Sequence, residues 1–114
     1  MRTIPIIVNI RSDGIDVNPT YVNVPNDNGQ DVKLKWTVIG GSFPTSGCFA
    51  WKNSPVGAPT VACPTSSGDN RIESAGYTNN FDPGRVWQYT ITVIKDSGGT
   101  VTIDPEVNNE PPTP

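Results

Sequence analysis

The chain's only two thiols, Cys48 and Cys63, stand near the ends of GCFAWKNSPVGAPTVACP, residues 47–64. Two cysteines can close a disulfide, help to hold a metal, or work as a redox pair. The spacing is not Cys-x-x-Cys, the usual form of a redox pair. Zinc takes four N or S ligands, and this chain offers two cysteines and no histidine. A disulfide has a physical reason. Beyond Trp51 the stretch leading to Cys63 contains two prolines and only small apolar residues, so packing alone would hold it weakly. A bridge would remove loop entropy from the unfolded chain worth about 3 kcal/mol in the chain-entropy model. The bland alternative is a pair of unpaired, half-buried thiols.

The absence of histidine removes the commonest general base, the Ser-His-Asp and Cys-His arrangements and nearly all catalytic zinc sites. Paired carboxylates can hydrolyse glycosides, and Asp69 with Glu73 is the nominal pair here. Most of the acids have a simpler explanation. Asp13, Asp16, Asp27, Asp31, Asp82 and Asp96 lie in or next to turn sequences, where Asp caps and Asx-turns are expected. NDNGQD at 26–31 looks like a calcium loop, but with Gly29 at the sixth position the first would be Val24, where Asp is needed. An oxygen-rich site using Asp27, Asn28 and Asp31 is the residual possibility, against a plain turn. Asn18-Pro19-Thr20 is no glycosylation sequon because of its proline. No catalytic residue, cofactor or metal is expected.

The aromatic residues divide into two groups. Trp36, Trp87 and Tyr89 fall on the apolar faces of strong strand patterns and read as core. Phe49, Trp51, Tyr77 and Phe81 fall in weaker segments, and any exposed member could stack on a sugar or anchor a partner. The alternative is that Phe49 and Trp51 fold back to cap one end of the domain.

The elements that must position these residues are strands. Thr3–Ile10 alternates Ile4, Ile6, Val8 and Ile10 against Thr3, Pro5, Ile7 and Asn9. Its short apolar run is broken by Pro5 and Asn9 and followed by no small-residue cleavage site, so it reads as a first strand rather than a signal peptide. Ile15–Val24 is extended with Pro19 near its middle, which makes it an edge strand, a bulge or a strand that switches sheets. Asn26-Asp27-Asn28-Gly29 is a turn. Asp31–Ile39 places Val32, Leu34, Trp36 and Val38 on one face and Lys33, Lys35 and Thr37 on the other, the period-two pattern of a half-buried strand. Gly40-Gly41 ends it. Cys48–Lys52 and Arg71–Ala75 are short strand candidates, and Gly76–Gly84 reads as loop. VWQYTITVIK, residues 86–95, alternates again, and TVTID follows after DSGG. For Val101 and Ile103 to share a face with Ile91 and Val93, Asp96 should stand opposite Thr100 around a Ser97-Gly98-Gly99 loop, with Gly99 left-handed.

At 114 residues the chain is one domain, expected over residues 1–108 with 109–114 as a flexible tail. The hydrophobic fraction is 34% and the charged fraction 17%, both lower than in average globular chains. Thr, Asn, Ser, Gly and Pro take up the difference, which suits short strands and many turns and disfavours helices. The net charge is −3 and the cations are scattered, so nothing resembles the basic stripe of a nucleic-acid binder. No apolar run is long enough to span a bilayer as a helix.

FDPGRVWQYTITVIKDSGGTVTI resembles the final hairpin of bacterial immunoglobulin-like modules, including the PKD type, and DVKLKWTV resembles the core strand before it. PTYVNV…GQDVKLKW also resembles the opening strands of cupredoxin-like domains. Those domains bind copper through histidines, a cysteine and often a methionine; with no histidine, and Met1 its only methionine, this chain cannot form that site. IDPEVNN resembles the ending of short bacterial β-proteins and implies no activity. Pattern and resemblance together predict an all-β, antiparallel two-sheet Greek-key sandwich, immunoglobulin-like or cupredoxin-like, with about seven strands and a Cys48–Cys63 bridge. The expected role is a non-catalytic interaction or structural module binding a protein or cell-surface partner. The alternative is a carbohydrate-binding module using Phe49, Trp51, Tyr77 and Phe81, and the third reading is a carboxylate-pair hydrolase. If the bridge forms, an oxidising compartment follows, either periplasmic or extracellular.

Overall fold

The computed structural model describes residues 2–19, 21–24, 31–53, 55, 57–79 and 86–109. Within them the chain is all-β, with eleven strands in two sheets. They are β1 (Arg2–Arg11), β2 (Gly14–Asn18), β3 (Tyr21–Val24), β4 (Asp31–Ile39), β5 (Gly41–Ser42), β6 (Phe49–Trp51), β7 (Arg71–Glu73), β8 (Tyr77–Thr78), β9 (Val86–Lys95), β10 (Thr100–Ile103) and β11 (Glu106–Asn109). The first sheet runs β2-β1-β4-β7, with β8 also on β4; the second contains β9, β10, β11 and β3, with β5 and β6 also on β9.

The expectation of about seven strands is corrected to eleven. The extended segment around Pro19 divides into β2 in the first sheet and β3 in the second, the sheet-switching outcome that a mid-strand proline allows. The expected loop at 76–84 contains β8, the Gly40-Gly41 break leads straight into β5, and β11 runs to Asn109, the first residue of the expected tail. The expected turn at 26–29 and the rest of the tail, residues 110–114, lie outside the described residues.

The sheets are mixed rather than purely antiparallel. β1 and β4 pair in parallel from Arg2↔Val32 to Asn9↔Ile39. β3 and β11 pair in parallel from Tyr21↔Glu106 to Val24↔Asn109. The first parallel pair follows from two reversals of direction, one at the β1–β2 turn and one between β3 and β4, which return the chain to its original heading.

The core lies between the sheets. The first contributes Ile6, Val8, Val32, Leu34, Trp36, Val38 and Ile72, and the second Val22, Val24, Trp87, Tyr89, Ile91, Val93 and Val107. Trp36 is 0% exposed and Trp87 5%, so both indoles point inward as the period-two pattern requires. Alternation explains this packing. Successive side chains on a strand face opposite ways, so Lys33 and Lys35 stay at the surface while Leu34 and Trp36 enter the core.

The hairpin of β9 and β10 keeps the expected parity, with Val101 opposite Val93 and Ile103 opposite Ile91. Its register is shifted one pair from the expected one. Thr100 faces Ile94 rather than Asp96, and the loop is Asp96-Ser97-Gly98. The Gly98 N–H donates to the Lys95 carbonyl and the Lys95 N–H to the Gly99 carbonyl, both at 2.9 Å. Gly98 and Gly99 both have positive φ, 104° and 85°, so the turn draws on two glycines where one was expected.

Candidate functional site

Cys48 and Cys63 form a disulfide with Cα atoms 5.7 Å apart. Cys48 is wholly buried. Its carbonyl accepts from the Thr92 N–H at 2.8 Å, continuing the β6–β9 ladder. Cys63 belongs to the returning segment, tied elsewhere by the Val61↔Ser74 bridge and by the Ala75 N–H donating to the Thr60 carbonyl at 2.8 Å. The bridge thus joins the β6 end of the second sheet to the segment that returns toward β7.

The aromatic residues beside it form one continuous cluster. Phe49 lies 5.0 Å from Trp36 and stacks on Tyr89, also at 5.0 Å. Trp51 meets Phe49 edge-on at 4.9 Å and Trp87 at 5.4 Å, and Tyr77 reaches Trp87 at 5.2 Å. The polar atoms of these rings are used inside the protein. The Trp36 indole donates to the Tyr89 hydroxyl at 3.0 Å, the Trp51 indole to the Pro59 carbonyl at 2.7 Å, and the Tyr77 hydroxyl to Asn109 Oδ1 at 3.0 Å. Burial pushes the Tyr89 hydroxyl up to about 12 despite the indole hydrogen bond, which favours the ionised form. Burial alone raises Tyr77. Of the four aromatic candidates, Phe49 and Trp51 are half-buried, Tyr77 is buried, and Phe81 lies outside the described residues. The structure brings the first three together as an internal wall.

The carboxylates serve local structure. Asp69 Oδ1 accepts from the Arg71 N–H at 3.1 Å and the Asp69 carbonyl from the Phe43 N–H at 2.8 Å. Glu73 pairs with Lys33 at 2.8 Å. That hydrogen bond and charge, with help from Lys35 and Arg71, hold Glu73 below the ordinary carboxylate range. Among the described residues no cluster of three or more His, Cys, Asp or Glu could hold a metal ion. Asp27 and Asn28 of the calcium-like sequence lie outside those residues. No helix is long and apolar enough to cross a membrane.

One side of the domain is open among the described residues, where β2 edges the first sheet and β10 edges the second. A groove of about 200 Å³ runs between them, lined by Ile15, Asp16 and Val17 on one wall and Ile103, Asp104 and Pro105 on the other. A second depression, about 390 Å³, opens on the outer face of β1 and β2. There the ion pair of Arg11 with Asp16 stands beside Asn9, Asn18 and Ile7.

The edge of β10 carries unmatched backbone groups, and the ladder phase identifies them. β10 and β11 keep one register against β9: Ile103 faces Ile91, and Glu106 faces Gln88. The Lys95 N–H donates to Gly99, and the Tyr89 N–H donates to the Pro105 carbonyl at 3.2 Å. Hydrogen-bonded pairs alternate along an antiparallel ladder, so Val101 and Ile103 make the bonds to β9. Thr100, Thr102 and Asp104 turn their N–H and C=O groups away from it. Among the described residues no strand pairs with that side of β10. The same edge of β11 is filled by β3 from Glu106 onward. Upstream of Tyr21 the chain belongs to β2 in the other sheet, and its departure leaves the slot open.

Sequence reasoning passed over this site because Val101 and Ile103 read as ordinary inward residues, and like Ile15 and Val17 they are half-buried. The available signal was the pair of prolines: Pro19 marks where the chain leaves one sheet, and Pro105 marks where β10 gives way to β11. In comparisons with known proteins, the chain matches no protein-family model and no curated protein.

Proposed function

We propose that this chain is a non-catalytic β-sandwich interaction module that binds a protein or cell-surface partner through the open side formed by β2 and β10. The observation that carries this reading is the run of outward backbone donors and acceptors on Thr100, Thr102 and Asp104 beside the groove that Ile15, Val17 and Ile103 line together with two aspartates. An extended segment can complete such an edge with main-chain hydrogen bonds and set alternate side chains into the groove. We also infer an immunoglobulin-like or cupredoxin-like Greek-key topology, supported by the sheet switch between β2 and β3 and the parallel β3–β11 pair. Location outside the cytoplasm goes with the disulfide, which persists in oxidising compartments. Carbohydrate binding takes second place because Phe49 packs against Trp51 and Tyr89, and Tyr77 against Trp87, whereas sugar stacking needs free ring faces.

The test compares immobilised wild-type protein with a Thr102→Pro variant against cell-envelope fractions and a glycan array. Proline removes an outward N–H, and edge strands tolerate it where that group faces solvent. A protein partner held by the wild type and lost by the folded variant supports the reading. Binding that the variant keeps, or binding to glycans alone, overturns it.

A further inference from the structure

Resting on that reading of the open side, we propose that the β10 edge pairs with the same edge of a second copy of this chain, joining two second sheets across a two-fold axis. The ladder phase requires outward residues to face one another, which admits Thr100 against Thr102 or Thr102 against its own counterpart. The second seating would drive Gly98 of the visiting turn against Glu106, where β3 already pairs, so Thr100 of one copy is set against Thr102 of the other. Val101 then lies on the axis opposite its own counterpart. This seating makes four main-chain hydrogen bonds and places β-branched side chains across from one another on both faces, pairs that stabilise antiparallel sheets.

The shape of the slot agrees with that register. The partner hairpin turns at Ser97, which comes opposite Pro105, and β3 begins one residue further on at the Tyr21↔Glu106 pair. The visiting hairpin therefore runs out where the slot closes. Thr100–Ile103 has none of the guards that edges commonly carry: no lysine, no proline and no inward-pointing charge. Asp104 of each copy comes opposite Gly98 of the other, which has no side chain to oppose it. Asp104 is already paired with Lys52 of its own chain at 3.3 Å, so its carboxylate meets the seam with its charge compensated. About five residues per copy, at roughly 3.3 Å each, make a contact below the size of stable dimers. The association is therefore weak and transient.

Sedimentation equilibrium of the full chain from 10 µM to 1 mM tests this, together with two cysteine variants under mild oxidation. The native cysteines are already paired, so an added thiol reports on its own neighbours. Val101→Cys should cross-link copies readily, because a non-hydrogen-bonded pair sets Cα atoms about 4.5 Å apart, within disulfide reach. Thr102→Cys should not, since its counterpart is Thr100. Thr102→Pro should weaken self-association at least tenfold. A monomer throughout the concentration range, or equal cross-linking at positions 101 and 102, overturns the proposal. If the chain stays monomeric while Thr102→Pro still abolishes capture of another protein, self-pairing fails and the binding edge stands. If the dimer forms but capture of that protein is indifferent to Thr102→Pro, self-pairing stands and the broader reading fails.

Discussion

Replacing both bridged cysteines, Cys48→Ala with Cys63→Ala, should destabilise the domain without dismantling it. The bridge spans a sequence separation of 15, for which the chain-entropy model gives about 3 kcal/mol. For a chain of 114 residues the unfolding entropy near the midpoint is about 0.24 kcal/mol/K, so Tm should fall by about 12 °C. The structure says where the loss is felt. Phe49 and Trp51 remain in register with Ile91 and Tyr89, and the described part of the loop at 52–62 reaches the core only at its margin, through the partly buried Ala58 and Val61 and the Trp51 hydrogen bond to Pro59. Far-ultraviolet circular dichroism should therefore stay β-rich, while limited proteolysis should gain a cut within 52–62. Urea titrations of the wild type, the double variant and the reduced wild type provide the measurement, and the last two should agree. A loss below about 1 kcal/mol would show that the loop is held by its own packing, and loss of the β spectrum would show that the bridge supports the core itself.

Three further expectations follow from particular contacts. Gly41→Ala should cost about 1–3 kcal/mol in urea titrations, because a Cβ there would stand 2.3 Å from the Ile94 carbonyl oxygen and 2.7 Å from Ile10 Cδ1, and backbone cannot yield cheaply. Lys33→Met should return the Glu73 carboxyl upward toward the ordinary carboxylate range, read from the carboxyl carbon shift in an NMR titration. Because the folded-state value is lowered, the Glu73 contribution is present above the unfolded value and is lost as pH falls through the folded one, so the variant's stability should change less with pH across the acid range. Tyr89 behaves in the opposite sense: its folded value is raised from 10.0 to about 12, so its contribution is complete below pH 10 and drains away between pH 10 and 12. Absorbance of tyrosinate and unfolding should therefore rise together in alkali, and Tyr89 ionising freely in a folded protein near pH 10 would contradict its burial.

The elements that period-two alternation specifies were legible in the residues. Leu34, Trp36 and Val38 on β4, and Trp87, Tyr89, Ile91 and Val93 on β9, announce both strand and inner face, because one register leaves a continuous apolar stripe. The bridge was legible from the pair of cysteines and the prolines between them, since Pro55 and Pro59 leave the returning segment little regular pairing to hold it. β11 was not. Glu106-Val107-Asn108-Asn109 has one apolar residue and follows a proline, and it becomes a strand only because β10 delivers it to β9 already in register. Parallel pairing of β1 with β4 was invisible for a related reason: alternation fixes which way side chains face and says nothing of a neighbour's direction. The candidate aromatic set failed to separate core from surface because Phe49, Trp51 and Tyr77 occupy strands of two or three residues, too short to show a period. The β10 edge escaped notice because hydrogen-bond phase is a property of pairs and is not written in either strand alone.

The position of β1 has a consequence for how the protein is made. β1 lies in the middle of its sheet, between β2 and β4, yet it is synthesised first and waits for a partner that starts at Asp31. The sheet so formed offers Ile6, Val8, Leu34 and Trp36 to solvent until Trp87, Tyr89 and Ile91 leave the ribosome some fifty residues after Trp36. Closure is therefore left to the final quarter of the chain. Contacts this distant in sequence form slowly, and for that interval the nascent chain carries an uncovered greasy sheet. Chaperones that shelter nascent chains should engage it after β4 has emerged and release it once the β9 hairpin is complete.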